Sequence, residues 1–422
     1  MGEQSNVSSK TCVSNKNLQN RIPEIHFSNS NVWKSYKLKE FLSFYSTNSL
    51  SRSNLNYENG NIKNIHYGDI HTKFPSIINC ETEEIPYINL DIDSSRIKED
   101  SFCKDSDLII ADASENYDDI GKAIELINVG NQKIVAGLHT ILARDTEDIT
   151  VSGFKGYLFQ TDNLKKQIKI ITNGISVLGI SKNNLKNLYV NIPSKEEQEK
   201  IVRFLFLIDR KIDLLEKTLV LYQRYKTYFL DTLINKNNSP LEKMSNIIRI
   251  TSSKNKNNEN LLVLSINNKL GFISQNDQFD NHKVASEDTS NYKIVEKDDF
   301  AYNPARINVG SIARLRNYNK GIVSPMYIVF KIDKDKVNLN YFENYIDSYD
   351  FRLNVLKRLE GSVRLVLSAE ALKNIMIPLP NLNEQEKIGN FLEYNNKRIQ
   401  LTNKKLEELK EYKKGLLQKM FC

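Results

Sequence analysis

The sequence predicts an α+β protein in which two α/β domains are separated by two long helices forming an antiparallel coiled coil, the whole with pseudo-two-fold organisation. Three observations predict it. Residues 178 to 234 align without a gap on residues 365 to 421, a constant shift of 187 positions (365 − 178 = 187), and roughly 20 of about 57 aligned positions are identical, more than shared helical composition produces. Each copy carries an unbroken heptad of mostly apolar residues. Each copy also follows a stretch of comparable length built from short runs of Ile, Val, Tyr and Phe broken by Asn, Asp and Gly, the pattern of strands and turns.

The elements follow in order. Residues 1–20 are polar and rich in Ser and Asn, so a disordered tail is expected there, without the apolar run of a signal peptide. A first domain spans 21–191, a first long helix 192–236, a second domain 237–378 and a second long helix 379–422. The chain of 422 residues, 40% hydrophobic and 9% aromatic, can bury more than one core. Its formal charge of +7 agrees with a polyanionic partner without requiring one. Cys12, Cys80, Cys103 and Cys422 lack the spacing of a zinc site or a disulfide framework, which points to a reduced, cytoplasmic setting. No run is long and apolar enough to span a bilayer, so no membrane partner is expected.

The first helix begins after Pro193, with Ser194 placed to cap and Glu196 and Glu197 in the first turn, and meets no Pro or Gly before Pro240. Its seam is Ile201, Leu205, Ile208, Ile212, Leu215, Leu219, Tyr222, Lys226, Phe229 and Leu233. The matching seam of the second helix is Ile388, Leu392, Asn395, Ile399, Thr402, Leu406, Leu409, Lys413, Leu416 and Met420. Each stripe must be covered, by its own domain or by the other helix. About 40 residues at 1.5 Å each give roughly 60 Å, longer than a small domain is wide, which favours mutual packing. The polar seam residues would set the register, with Lys226 near Asn395.

The two domains share an order of features. "DLIIADASENYDDIGKAI" (Asp107 to Ile124) corresponds to "DFAYNPARINVGSIARL" (Asp299 to Leu315), a strand, a polar turn and a glycine-containing return. "IVAGLHTILAR" corresponds to "IVSPMYIVFK", and "NGISVLGIS" to "EGSVRLVLS", which leads into the repeat.

Over nearly its whole length this arrangement resembles the DNA-specificity subunit of Type I restriction-modification systems. The matching stretches are "PEIHF" and "WKSYKLKEFL" ahead of the first domain, "IHYGDIHTKFP" within it, "AYNPARINVGSIA" in the second, and the paired "IPSKEEQEKI" and "LPNLNEQEKI" that start the helices. The resemblance implies that each domain is a target recognition domain reading one half of a bipartite site in double-stranded DNA. The coiled coil would hold the two apart, and half-site centres one helical turn apart lie roughly 34 to 36 Å from each other. It further implies two methyltransferase (modification) subunits as partners, which restriction subunits can join, and a non-catalytic role for this chain. No cofactor is expected here; S-adenosylmethionine and ATP with Mg would sit in the partners, and adenine N6 would be the position modified.

Base reading needs Arg, Lys, Asn, Gln or Ser on exposed loops. Candidates in the first domain are Ser114, Asn116 and Tyr117 in the polar turn, with His71, Thr72 and Lys73 after the "HYGDIH" loop; Asp118 and Asp119 in the same turn would repel phosphate. Candidates in the second are Arg306, Asn308, Ser311, Arg314 and Arg316. Arg364 could bind phosphate or pair with Glu360. A solvated turn is the alternative for each. His66 and His71, with Asp69 between them, invite a metal or nuclease centre, but the two histidines stand five apart on an expected loop without a third placed ligand. "YNPA" lacks the second proline and the aromatic of an amino-methyltransferase motif, and no phosphate-binding loop is present. The rival readings are a self-contained DNA methyltransferase or nuclease and a coiled-coil protein-binding scaffold. Methyl transfer or cleavage by the isolated chain would mark the first, and absence of DNA sequence preference the second.

Overall fold

The computed structural model describes residues 23–27, 33–236, 239–268, 270–275, 288–361 and 365–421, without the side chains of residues 231 and 233–236. The expected tail at 1–20, Arg364 and the Leu233 side chain lie outside the described residues. Two compact units emerge: residues 1–213 with 407–422, and residues 214–406.

In the first unit a five-stranded sheet has the order Leu42–Tyr45, Thr140–Asp145, Leu108–Ala111, Ala123–Ile127, Ile77–Asn79. Its strands are antiparallel except for the last pair. A four-stranded sheet has the order Ile134–Ala136, Lys63–Ile65, Tyr87–Ile88, Leu55–Asn56. The strand Leu108–Ala111 shows why two cores form. Side chains alternate across a strand, so Leu108 and Ile110 enter a core with Phe154, Leu164 and Ile168 on helices Phe154–Leu158 and Asp162–Ile171, while Ile109 and Ala111 enter another with Ile65, Ile134 and Ala136 of the second sheet. A continuous apolar run is therefore a strand buried on both faces.

The second unit repeats this plan. One sheet has the order Ile248–Thr251, Ile328–Ile332, Phe300–Tyr302, Ile312–Arg314, and the other Gly271–Ser274, Val263–Asn267, Lys320–Val323, Lys293–Glu296. Phe300 and Tyr302 face one core and Ala301 the other. Both domains are fastened at their ends in the same way. Strand Lys34–Lys37 pairs antiparallel with Tyr189–Ile192, and Leu241–Lys243 pairs with Met376–Pro378.

The long helices run Lys195–Lys236 and Leu382–Met420, each starting three residues inside its expected boundary (195 − 192 and 382 − 379). Pro193 and Pro380 hold the preceding backbone extended, and repeat-related caps start the helices: Ser194 Oγ accepts from Glu197 N at 3.4 Å and Asn381 Oδ1 from Glu384 N at 3.0 Å.

Within each unit the seams pack on one another. In the first, Ile201, Leu205 and Ile208 share a core with Leu416, Leu417 and Met420, with Ile212 and Leu409 packed against it, and Lys413 Nζ lies 2.6 Å from Asp209. In the second, Leu230, Ile388 and Leu392 share a core, and the rings of Phe229 and Phe391 lie 4.3 Å apart. Tyr222 meets Asn395 while Phe229 meets Phe391, so the numbering runs in opposite senses and the pairing is antiparallel. Leu215, Leu219, Ile399, Thr402 and Leu406 are buried or half-buried as well, whereas most neighbours off the seam are exposed. The register expectation put Lys226 near Asn395: Asn395 Nδ2 donates at 3.3 Å to the Tyr222 carbonyl, the acceptor one helical turn before the Lys226 amide, while the Lys226 ammonium pairs with Asp347 at 3.2 Å. A cation at a half-buried seam position reaches the nearest carboxylate, and the neutral amide satisfies the backbone oxygen.

Candidate nucleic-acid interface

A framework common to both domains fixes the turns that would meet a ligand. Gln198 and Gln385, equivalent by the repeat (198 + 187 = 385), are buried at the start of the long helices. Gln198 Oε1 accepts from Val151 N at 2.9 Å and Nε2 donates to the carbonyls of Ile149 and Pro193, each at 3.0 Å. Gln385 does the same with Asn338 N, Lys336 O and Pro380 O, at 2.8, 3.0 and 2.8 Å. Gly174 and Gly361 turn equivalent hairpins at φ 115° and 114°, a region open to glycine and strained for other residues. Ser181 and Ser368 cap the short helices that follow. At the start of the central strands, Asp107 forms a paired bond with Arg144 (2.8 and 2.7 Å), and Asp299 lies 3.6 Å from Lys331.

On this framework the first domain presents the polar turn after Ala111. Ser114 is buried and its Oγ accepts from Asn116 N at 3.0 Å, so it shapes the turn rather than facing outward. Asn116 is exposed, with Oδ1 accepting from Asp118 N, and Tyr117 is 53% exposed. Asp118 is neutralised by Lys169 at 2.6 Å, which removes one of the charges expected to repel phosphate. The "HYGDIH" stretch is a helix, Tyr67–Thr72, not a loop: His66 Nδ1 accepts from Gly68 N at 3.1 Å and caps it. His71 Nε2 lies 2.9 Å from the Ala113 carbonyl, Thr72 Oγ1 donates to Gly68 O, and Lys73 Nζ donates to Glu84 O at 2.6 Å and sits 4.3 Å over the Tyr57 ring.

Three histidines distant in sequence gather here. His66, His71 and His139 surround the Tyr67 ring at 4.5, 5.9 and 5.3 Å between centroids. Burial lowers the His66 pKa, against the attraction of Asp69. Among the described residues no group of three His, Cys, Asp or Glu side chains has the geometry to hold a metal ion. Beside the cluster a cleft of about 490 Å³ is lined by Ser46, Asn48, Arg96, Lys98, Asp112 and His139, among others.

In the second domain the equivalent turn is the 3-10 segment Ile307–Val309 after Tyr302. Arg306 and Asn308 are exposed, and no hydrogen bond ties either side chain among the described residues. Ser311 is buried. Arg314 and Arg316, expected on an open turn, are instead spent on carboxylates of their own unit. Arg314 bonds Asp298, Asn340 and Glu343. Arg316 takes Glu343 at 2.6 to 2.9 Å and Glu393 of the second long helix at 2.8 and 3.1 Å. A guanidinium held by two carboxylates is a poor phosphate ligand, so these arginines fasten the domain to its helix. Glu343, Glu393 and Asn340 were missed as their partners because nothing in the spacing of the sequence brings residues 316 and 393 together. Arg316 and Glu393 also line a polar cleft of about 770 Å³ in this unit. Asp112 and His139 were missed too; matching the ends of the central strands between the two domains would have found them.

A family model described as the Type I restriction modification DNA specificity domain matches residues 31–221 and again residues 244–411, each match taking in one domain and much of one long helix. Among solved structures the fold is similar to the S subunit of a Type I restriction-modification system from M. genitalium, at 13% identity and a TM-score of 0.62, covering 95% of this chain and 99% of that one. It is also similar to a chain from a study of complex assembly and conformational transition of the type I R-M system, at 13% identity and a TM-score of 0.51, covering 91% and 96%. With the matched model spanning both halves, each built on the same framework, the chain belongs to the Type I restriction-modification DNA specificity family.

Proposed function

We propose that this chain is the sequence-reading subunit of a Type I restriction-modification complex, in which each domain recognises one half of a bipartite site in double-stranded DNA and the paired helices set the spacer. The observation that carries this reading is the duplicated framework. The Gln, Gly, Ser and Asp fastenings recur in both units while the turns they hold differ, as expected of two reading heads on one mount. Two heads, each losing about 1 to 3 kcal/mol per mismatched pair, together select a rare site.

The exposed Asn116, Tyr117, Arg306 and Asn308 remain the candidates for contact among those the sequence suggested, with His71, Thr72 and Lys73 beside the first turn. The chain's family is generally non-catalytic; methyl transfer to adenine and DNA cleavage would belong to two modification subunits and to restriction subunits that join them. S-adenosylmethionine and ATP with Mg would be bound there. Two buried cysteines, Cys80 and Cys103, are free, and burial pushes the Cys80 thiol up to about 11, which fits a reducing cytoplasm. No helix among the described residues is long and apolar enough to cross a membrane.

The test is genome-wide mapping of methylated adenines in cells with and without this chain, followed by binding of the chain with its modification subunits to the mapped site at fixed salt. A bipartite motif that vanishes with the gene supports the reading. Binding without sequence preference would leave a scaffold.

A further inference from the structure

In a molecule with two reading heads on one framework, residues that hold the geometry should match between the halves and residues that read should not. The two domains can be superposed bond by bond. The amide of Ile180 donates to the Asp112 carbonyl at 2.9 Å, and that of Leu367, its repeat equivalent (180 + 187 = 367), donates to Pro304 at 3.0 Å. Asp112 and Pro304 therefore occupy one position, just past the central strand. On the neighbouring strand His139 stands five residues before Arg144, and Met326 five before Lys331, the two basic partners of the equivalent aspartates. At this matched pair of positions the first domain has a carboxylate and an imidazole, with His139 Nδ1 3.4 Å from Asp112 Oδ1. The second has a proline and a thioether, Met326 Sδ lying 3.6 Å from the Asn303 amide.

The Asp112 and His139 side chains reach solvent, although the His139 ring also packs on Tyr67. They are 30% and 51% exposed and line the cleft of about 490 Å³ with Arg96 and Lys98. His139 adopts φ 53°, the left-handed region that is costly for a residue with a Cβ, and its carbonyl accepts from Asp112 N at 3.0 Å. Burial raises the Asp112 carboxyl above its ordinary range, and His139 and Lys182 oppose that rise.

We propose that Asp112 reads a C·G pair in the half-site of the first domain by accepting from the cytosine amino group, with His139 as the residue that positions its carboxylate. In the major groove a carboxylate finds donors only on cytosine N4 and adenine N6. Adenine sets its N7 acceptor beside that amino group and so repels the second carboxylate oxygen, guanine N7 and O6 and thymine O4 are acceptors, and cytosine alone offers the donor by itself. Arg96 and Lys98 at the cleft margin supply cations for the flanking phosphates. Pro304 and Met326 leave the second head without this acceptor, so its half-site is read by other groups. The inference rests on the DNA-reading function proposed above.

The experiment uses the full chain assembled with its modification subunits and a library of randomised duplexes, selected at one salt concentration. Asp112→Asn is expected to weaken the preference for C·G at one position of one half-site by about tenfold or more, leaving the other half-site and the spacer unchanged. His139→Asn, which keeps a side chain suited to φ 53°, is expected to weaken the same position less. Met326→Gln is expected to change only the other half-site. Thermal melts confirm that each variant folds. A folded Asp112→Asn complex with both half-site preferences intact, or one altered at a position that is not C·G, would overturn the assignment. A wild-type complex without any half-site preference would instead overturn the DNA-reading function itself.

Discussion

Gln198 and Gln385 show how one side chain can be worth more than its surface. Each satisfies three backbone groups at the place where a domain hands over to a long helix, and each is buried. Replacing Gln198 by Ala strands the Val151 amide and two carbonyls away from water, at about 1 to 3 kcal/mol. Gln385→Ala is expected to cost a similar amount in the other unit. Thermal denaturation of the two variants checks this, and a change of melting temperature within error of zero for either would contradict the fastening role. Glu125 and Lys155 make a second buried pair, with Glu125 bonded to the amides of Gly153 and Gly156 as well. Burial raises the Glu125 carboxyl, opposed by Lys155 and these amides. None of these roles could be read from residue type, because a glutamine in a charged helix start and one plugged into a backbone gap look alike in sequence.

Among the elements, the second long helix is tied to its domain at two kinds of contact. At Gly389 the backbone comes so close to helix Leu339–Tyr345 that a Cβ would sit 2.9 Å from Asn338 Oδ1 and from Tyr341 N. Arg316 bridges Glu343 and Glu393 across the same junction. The bond from Arg316 holds the Glu393 carboxyl below its ordinary range against the opposing effect of burial. The group therefore adds stability that is full above the ordinary glutamate pKa, about 4.3, and is lost as pH falls through the lower folded value. Arg316→Gln should destabilise the protein by about 2 kcal/mol near neutral pH and flatten the loss of stability on acidification below about pH 4.5, as measured by urea melts across that range. An unchanged acid limb would show that other carboxylates dominate it. The helices and their seam were legible because a heptad and a gapless repeat are local patterns, and the strand-turn-return of each domain was legible because apolar runs end at Asn, Asp and Gly. The fate of Arg314 and Arg316 was not, since an exposed and a paired arginine differ only in what the tertiary fold brings to them. The partner of Lys226 was not legible for the same reason: Asp347, which captures it, comes from a turn between two helices elsewhere in the chain.

At the scale of the whole molecule, the notable property is that the first compact unit is discontinuous in sequence: it needs residues 1–213 and also 407–422. Leu416, Leu417, Met420 and Phe421 complete the core that contains Trp33, Phe154, Ile201 and Leu205, with Phe421 5.5 Å from Phe154 and 6.0 Å from Trp33. Each large apolar side chain so buried contributes about 1.5 to 3 kcal/mol. A fragment of residues 1–236 lacks all four, yet it carries their repeat counterparts Phe229, Leu230, Leu233 and Ile234 (each 187 positions earlier). Two copies of that fragment can supply each other, so the expected state is a dimer by light scattering, and a well-folded monomer would contradict it. During synthesis the same dependence sets an order of events: the unit translated first stays unfinished until Leu416 to Phe421 have left the ribosome. A chain stopped short of Leu416 therefore leaves an apolar groove bare, to be covered by the helix end of a second copy or exposed to proteases.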